Sequence, residues 1–192
     1  MSDTLPTPSE RAEIEAERSA ARRAVYEAAV PDEFRTASIV DLRMIDQNRL
    51  TVRKWADGTQ PTLLIFGGRL TGKTHAGYAV LNDAAATGAR VYGTTVAELI
   101  ETLHPDFPGH SPAGRLALDA DLFLFDDLKT RNVARWGVDE LTGILDHRAR
   151  EGKRQIITTS ESPADLVAFY GPQAWALMSA GALILNFTGN RP

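Results

Sequence analysis

The sequence predicts a three-layer α/β sandwich, a five-stranded and mainly parallel sheet with helices on both faces. Three observations carry this. The apolar runs at 63–66, 122–125 and 182–187 are continuous or nearly so, as in strands buried on both faces of a parallel sheet. Segments rich in helix formers separate the strand-like runs, the order that crossover connections need. The first run empties into Gly67-Gly68-Arg69-Leu70-Thr71-Gly72-Lys73-Thr74, a glycine loop of the form G-x-x-x-x-G-K-[ST] that belongs between a strand and a helix.

Composition sets the frame. The 192 residues, 43% hydrophobic, make one domain with a short appendage. A formal net charge of −4 exerts no global pull on nucleic acid or an anionic membrane, so any nucleic-acid contact must use a local basic patch. The chain contains no cysteine, which excludes disulfides and thiolate metal sites and fits a reducing cytoplasm. Residues 1–10 lack the basic start and apolar core of a secretory signal. No apolar run approaches the length of a membrane span.

Each element then follows in order. Residues 1–8 are polar with two prolines and read as disordered. Residues 9–30 shift to Ala, Glu and Arg and read as a helix capped by Ser9, with a thin apolar stripe of alanines plus Ile14, Val25 and Tyr26. Pro31 ends it. Residues 32–50 form a lead-in whose Phe34, Ile39, Leu42 and Met44 pack onto the domain, and a short helix at 50–56 carries Arg53, Lys54 and Trp55. Asp57-Gly58 turns the chain into the first strand. After the glycine loop come a helix at 75–86, a strand at 90–95, a helix at 96–103 and a Pro/Gly loop at 104–110. His104 and His110 have no partner at ligand spacing and read as surface residues. The third strand, at 122–125, runs into Asp126-Asp127. An amphipathic helix at 136–150, a strand at 155–159, a helix from Pro163 through Phe169 and a last strand at 182–187 complete the set.

Two segments carry chemistry. In residues 67–74, successive backbone N–H groups would form an anion-binding nest, and the helix starting near Gly72 adds its positive end. Gly67 and Gly72 permit backbone conformations that a side chain blocks. Lys73 would reach the β- and γ-phosphates of a nucleotide and the Thr74 hydroxyl would bind Mg²⁺. Gly68, Arg69, Leu70, Thr71 and His75 complete the nucleotide-contacting stretch. The second segment is Leu122-Phe123-Leu124-Phe125-Asp126-Asp127, an acidic pair at the end of a buried strand. Asp126 is the expected Mg²⁺ ligand, and Asp127 is placed to orient or deprotonate the attacking water. Thr159 and Ser160, at the tip of the next strand, would hydrogen-bond the γ-phosphate or that water, or equally form a serine/threonine turn before Glu161 and Pro163.

These residues resemble the DnaC/IstB branch of the AAA+ ATPases, which are P-loop NTPases. The resemblance rests on residues 67–74 and 122–128, Leu145-Asp146-His147-Arg148 at a helix end, and Ile156-Ile157-Thr158-Thr159-Ser160. Pro31-Asp32-Glu33-Phe34 before the domain and Leu185-Asn186-Phe187-Thr188-Gly189-Asn190-Arg191 at the end of the chain add to it. It covers residues 30–191. It implies ATP and Mg²⁺ binding, self-association or docking on a DnaB-type replicative ring helicase, and delivery of that helicase to single-stranded DNA. It also implies a division into an N-terminal partner-binding tail and helix, 1–30, and an ATPase domain, 31–192, without a substantial helical lid.

Two departures stand out. The family pattern has Asn where this chain has Ser160, and it places an arginine finger near Ala176, whereas no Lys or Arg occurs between Arg154 and Arg191. An arginine finger is worth roughly three to five orders of magnitude in phosphoryl transfer. Arg131, Arg135, Arg148 and Arg191 are the chain's own candidates for that cation, and a helicase would be the source in trans. Arg131, Arg135, Trp136, Arg148, Arg150, Lys153 and Arg154, and Trp55 beside Arg53 and Lys54, are the candidate basic-aromatic patches for single-stranded DNA, or equally solvated, charged surface with core tryptophans. The rival readings are an IstB-like transposition helper, a nucleotide-gated adaptor with little hydrolysis, and a small-molecule kinase. The arginine-free stretch argues against the kinase, which would close cationic residues over the transferred phosphate.

Overall fold

The computed structural model describes residues 7–42, 46–103, 112–131 and 133–188. Its strands are β1 (Thr62–Gly67), β2 (Val91–Thr95), β3 (Leu122–Leu128), β4 (Arg154–Thr159) and β5 (Leu183–Phe187). They form one sheet in the order β2-β3-β4-β1-β5, with every pairing parallel. The helices are α1 (Pro8–Ala29), α2 (Asp46–Asp57), α3 (Lys73–Ala86), α4 (Val96–Leu103), α5 (Pro112–Asp119), α6 (Arg135–Arg150) and α7 (Pro163–Ser179). Among the described residues, no helix is long and apolar enough to cross a membrane.

The continuous apolar strands are buried twice over. Leu63 and Ile65 of β1 join Leu124, Ile156 and Leu185 in a core under α2 and α3, with Tyr26, Val30, Ile39 and Leu42 added from the N-terminal segment. Leu64 and Phe66 join Phe123, Phe125 and Ile157 in a second core under α4, α5, α6 and α7. A strand with water on one face would alternate, and these do not because both faces are covered.

The structure departs from several sequence expectations. Thr7, not Ser9, caps α1. The Thr7 hydroxyl accepts from the Glu10 N–H at 3.3 Å, the Glu10 carboxylate accepts from the Thr7 N–H at 2.7 Å, and Pro8 takes the first helical position. Helix α2 begins at Asp46 rather than Leu50. Helix α5 was not expected from its sequence; its C-terminal carbonyls are held by distant basic side chains, a tertiary cause that local propensity does not contain. Helix α7 runs to Ser179, well beyond Phe169, because Gly171 at φ +84 breaks it and Pro172 restarts it. Met44, His104, His110, the loop expected at 104–110 and Arg191 lie outside the described residues.

Candidate functional site

The site is built where β1, β3 and β4 end side by side. The backbone after β1 turns sharply at Gly67, φ +154, where a Cβ would come within 2.5 Å of the Phe187 carbonyl at the end of β5. Only glycine fits that approach. At φ +88, Gly72 is the N-cap of α3. Between them Leu70 holds φ +59 and is 99% exposed, and nothing in the structure explains a leucine there.

Lys73 folds back over the loop. Its Nζ donates to the carbonyls of Gly67 at 2.9 Å and Gly68 at 2.6 Å, and the Thr71 hydroxyl donates to Gly68 O at 3.0 Å. Burial pulls the Lys73 ammonium below its ordinary range, opposed by the charges of Asp127 and Asp126. One residue on, Thr74 Oγ1 lies 3.1 Å from each carboxylate oxygen of Asp126. Asp126 is 5% exposed. Burial raises its carboxyl above the usual range, and hydrogen bonds from Thr158 and Thr74 oppose that.

The neighbouring hydroxyls divide by strand parity. Thr158 Oγ1 donates to Asp126 Oδ1 at 2.5 Å and accepts the Asp127 N–H at 2.9 Å. Thr159 points the other way: it is fully buried, donates to Leu128 O at 2.7 Å and accepts the Glu161 N–H. The β4 hydroxyl that meets the site carboxylate is therefore Thr158, which sequence reasoning missed. The signal was present. Leu124 and Ile156 pair in register and face α3, so Asp126 and Thr158, two residues further along each strand, share that side. Ser160 follows, exposed, at the tip of β4. Asp127 stands at φ +55, and its Oδ2 is 2.5 Å from Lys129 Nζ.

The N-terminal segment reaches this site along α3. Phe34 stacks on Tyr78 with ring centroids 4.8 Å apart and meets the edge of His75 at 6.2 Å. Asn82 of α3 donates to Phe34 O at 2.9 Å and Ala37 O at 2.7 Å, and accepts the Tyr26 hydroxyl at 2.6 Å. One side chain thus ties the end of α1 and the lead-in to the helix that begins with Lys73 and Thr74.

The basic-aromatic patches do not assemble. Arg148 is fully buried, so it is no candidate for the missing cation. Lys153 donates to Leu118 O and Asp119 O. Arg154 donates to Trp55, Ala56 and Gln60 carbonyls and lies over the fully buried Trp55 ring. Arg150 pairs with Asp146 and Arg53 with Asp57. Arg131 and Arg135 remain exposed, while Trp136 packs partly into the second core.

The donor chemistry fits the expected ligands. Thr74 Oγ1 and the Asp126 carboxylate are hard oxygen donors, the kind Mg²⁺ takes alongside substrate phosphates. Among the described residues, no cluster of three or more His, Cys or acidic side chains forms an all-protein metal cage. Lys73 and the loop N–H groups supply the positive lining that phosphates need.

Known proteins share this fold. The family model described as IstB-like ATP binding protein matches residues 11–176. No curated protein matches the chain in sequence. Among solved structures, the DnaC helicase loader superposes with a TM-score of 0.73 at 21% identity, over 82% of this chain and 99% of that one. DnaI does so with a TM-score of 0.72 at 18% identity, over 83% and 95%. AMPPCP-bound DnaA from Aquifex aeolicus gives 0.68 at 19% identity, over 79% of this chain and 50% of that one.

Proposed function

The chain belongs to the family of IstB-like ATP binding proteins, and from that premise we propose that it hydrolyses ATP with Mg²⁺ and works as a loader that delivers a replicative ring helicase to single-stranded DNA. One observation carries the ATPase part: Lys73, Thr74 and Asp126 converge from the glycine loop and β3, with Thr74 and Asp126 already in contact. Lys73 would move from the loop carbonyls to the β- and γ-phosphates. Thr74 and Asp126 would hold Mg²⁺, which supplies charge neutralisation of the phosphates when bound. Asp127 would orient the water whose oxygen bonds to the γ-phosphorus as the bond to the β,γ-bridging oxygen breaks, and would take up its proton. Ser160, exposed at the tip of β4, would sense the γ-phosphate.

The loader part is supported by how α1 is mounted. Most of α1 is exposed, including Ile14 and Val25, yet its end is bonded to the phosphate-loop helix through Tyr26 and Asn82. A partner seated on α1 would therefore be mechanically connected to the nucleotide site. The DnaC helicase loader and DnaI share the same architecture. A second reading, a helper ATPase of transposition, is favoured by the IstB-like family match and uses the same site on a different target.

The test is ATP turnover by the purified protein alone, with its host's replicative helicase, and with helicase and single-stranded DNA. Turnover that rises with helicase, and co-purification lost when residues 7–25 are deleted, are the expected results. Lys73→Ala should abolish nucleotide binding. ATP bound without turnover in every mixture would reduce the protein to a nucleotide-dependent adaptor. Turnover stimulated by a transposase but not by the helicase would select the second reading.

A further inference from the structure

At the carboxyl end of β3 the backbone leaves regular strand geometry. The β3–β4 register skips from Phe125–Ile157 to Leu128–Thr159, and Asp127 within the skip holds φ +55. Bulges of this kind re-aim a side chain, and a left-handed conformation is one that Asp tolerates better than most residues. The backbone is pinned on both sides of Asp127. Its own N–H donates to Thr158 Oγ1, the Leu128 carbonyl accepts from Thr159, and the Lys129 carbonyl accepts the hydroxyl of the buried Tyr170 at 2.5 Å.

This scaffold presents one ion pair, Lys129 Nζ to Asp127 Oδ2 at 2.5 Å. The two side chains are 53% and 43% exposed, and pairs so open to water contribute little to stability. The anchoring around it is out of proportion to that contribution. The pair also stands where charge is unbalanced. Asp126 and Asp127 are consecutive carboxylates, and α7, whose Leu166 and Tyr170 pack against this end of the sheet, carries no Lys or Arg. Lys129, directly after β3, brings a cation to Asp127 on this side, in addition to Lys73 of the glycine loop, whose ammonium feels the charges of both carboxylates.

We infer that Lys129 is a positioning residue for ATP hydrolysis: its ammonium holds the Asp127 carboxylate in one orientation at the bulge and offsets the negative charge that Asp127 brings beside Asp126. The inference rests on the ATPase reading above. Asp is a methylene shorter than Glu, so a carboxylate at this position has little slack, and its direction decides whether it meets the attacking water. A misplacement of about 1 Å in such a group lowers rates by roughly a hundredfold.

The experiment compares full-length wild type with Lys129→Met, Lys129→Arg, Asp127→Asn and the Asp127→Asn/Lys129→Met double variant. It measures steady-state ATP turnover, with helicase and single-stranded DNA if the wild type needs them, and equilibrium binding of a fluorescent non-hydrolysable ATP analogue. Lys129→Met should lower kcat by roughly one to two orders of magnitude with KM and analogue affinity nearly unchanged. Lys129→Arg should restore most of the loss. In the double variant the Lys129 change should add almost nothing, because both substitutions act on one group. Thermal melts should be superimposable, since both side chains lie at the surface. Unchanged or raised kcat in Lys129→Met, with an active wild type, overturns the role and leaves the ATPase reading standing. So does a loss of analogue binding in step with kcat. Wild-type protein that binds ATP and never turns it over overturns both.

Discussion

Arg148 is fully buried, and its hydrogen-bond partners are carbonyl oxygens: Ala117 at 2.7 Å, Ala120 at 3.0 Å, and Arg154. Among the described residues its Nε has no partner, and its guanidinium lies 5.6 Å from the Phe123 ring centroid. Burial pulls its pKa down to about 10, with Asp121 opposing. That sign means the buried charge costs stability at neutral pH, where the unfolded chain keeps the same proton in water. The return is structural, because one fork closes the end of α5 and the start of β4. Arg148→Met should leave those carbonyls unsatisfied and cost about 3 kcal/mol. For a domain of this size that is a fall in melting temperature of about 6–12 °C by calorimetry. Lysine should not rescue it, because one ammonium cannot reproduce the planar fork. A melt within about 2 °C of wild type would show that the fork is dispensable. From the sequence, Arg148, Lys153 and Arg154 read as a charged surface. Charge alone does not reveal that a guanidinium will be buried to serve carbonyls, since the acceptors are brought together only by the fold. The convergence of Lys73, Thr74 and Asp126 was legible for the opposite reason: each stands in a short local pattern, the glycine loop or the acidic end of an apolar run.

The elements were legible where apolar runs and glycines bound them, as at β1, α4 and β3, and less so where distant contacts hold an end, as at α5. Asn82 is a case of the second kind. It looks like an unfavourable helix residue in the middle of α3, yet it bonds α1, the lead-in and α3 together. Asn82→Ala removes these hydrogen bonds and a longer one to Arg35 O at once, and should cost about 2–3 kcal/mol. The loss should be local. In hydrogen exchange, residues 26–42 should open well before β1 and β4, whose apolar side chains are buried on both sheet faces. Nucleotide affinity should fall several-fold as well, because Phe34 would no longer be held on Tyr78 and His75. Uniform loss of protection across the domain, with 26–42 no more affected than the strands, would mean that the lead-in is not held by this side chain.

At the scale of the molecule, the charge on α7 decides how the site can be completed. Hydrolysis of ATP gains its largest factors from cations brought to the transferred phosphate. The family resemblance puts such a cation near Ala176, and here Ala176 is exposed on a helix that carries none. Copies of this chain meeting through α7 would add surface contact but no guanidinium to a neighbour's site. Turnover per chain should therefore stay flat as the protein is concentrated, even where sedimentation shows self-association, and should rise when the helicase is added. Ala176→Arg separates the two sources. If the chains associate through α7, the new guanidinium should make turnover climb with protein concentration and lessen its dependence on helicase, while leaving the melt unchanged because the site is open to solvent. Wild-type turnover that already rises steeply with its own concentration would locate the cation within a neighbouring copy, with the exposed Arg131 and Arg135 as the first residues to remove.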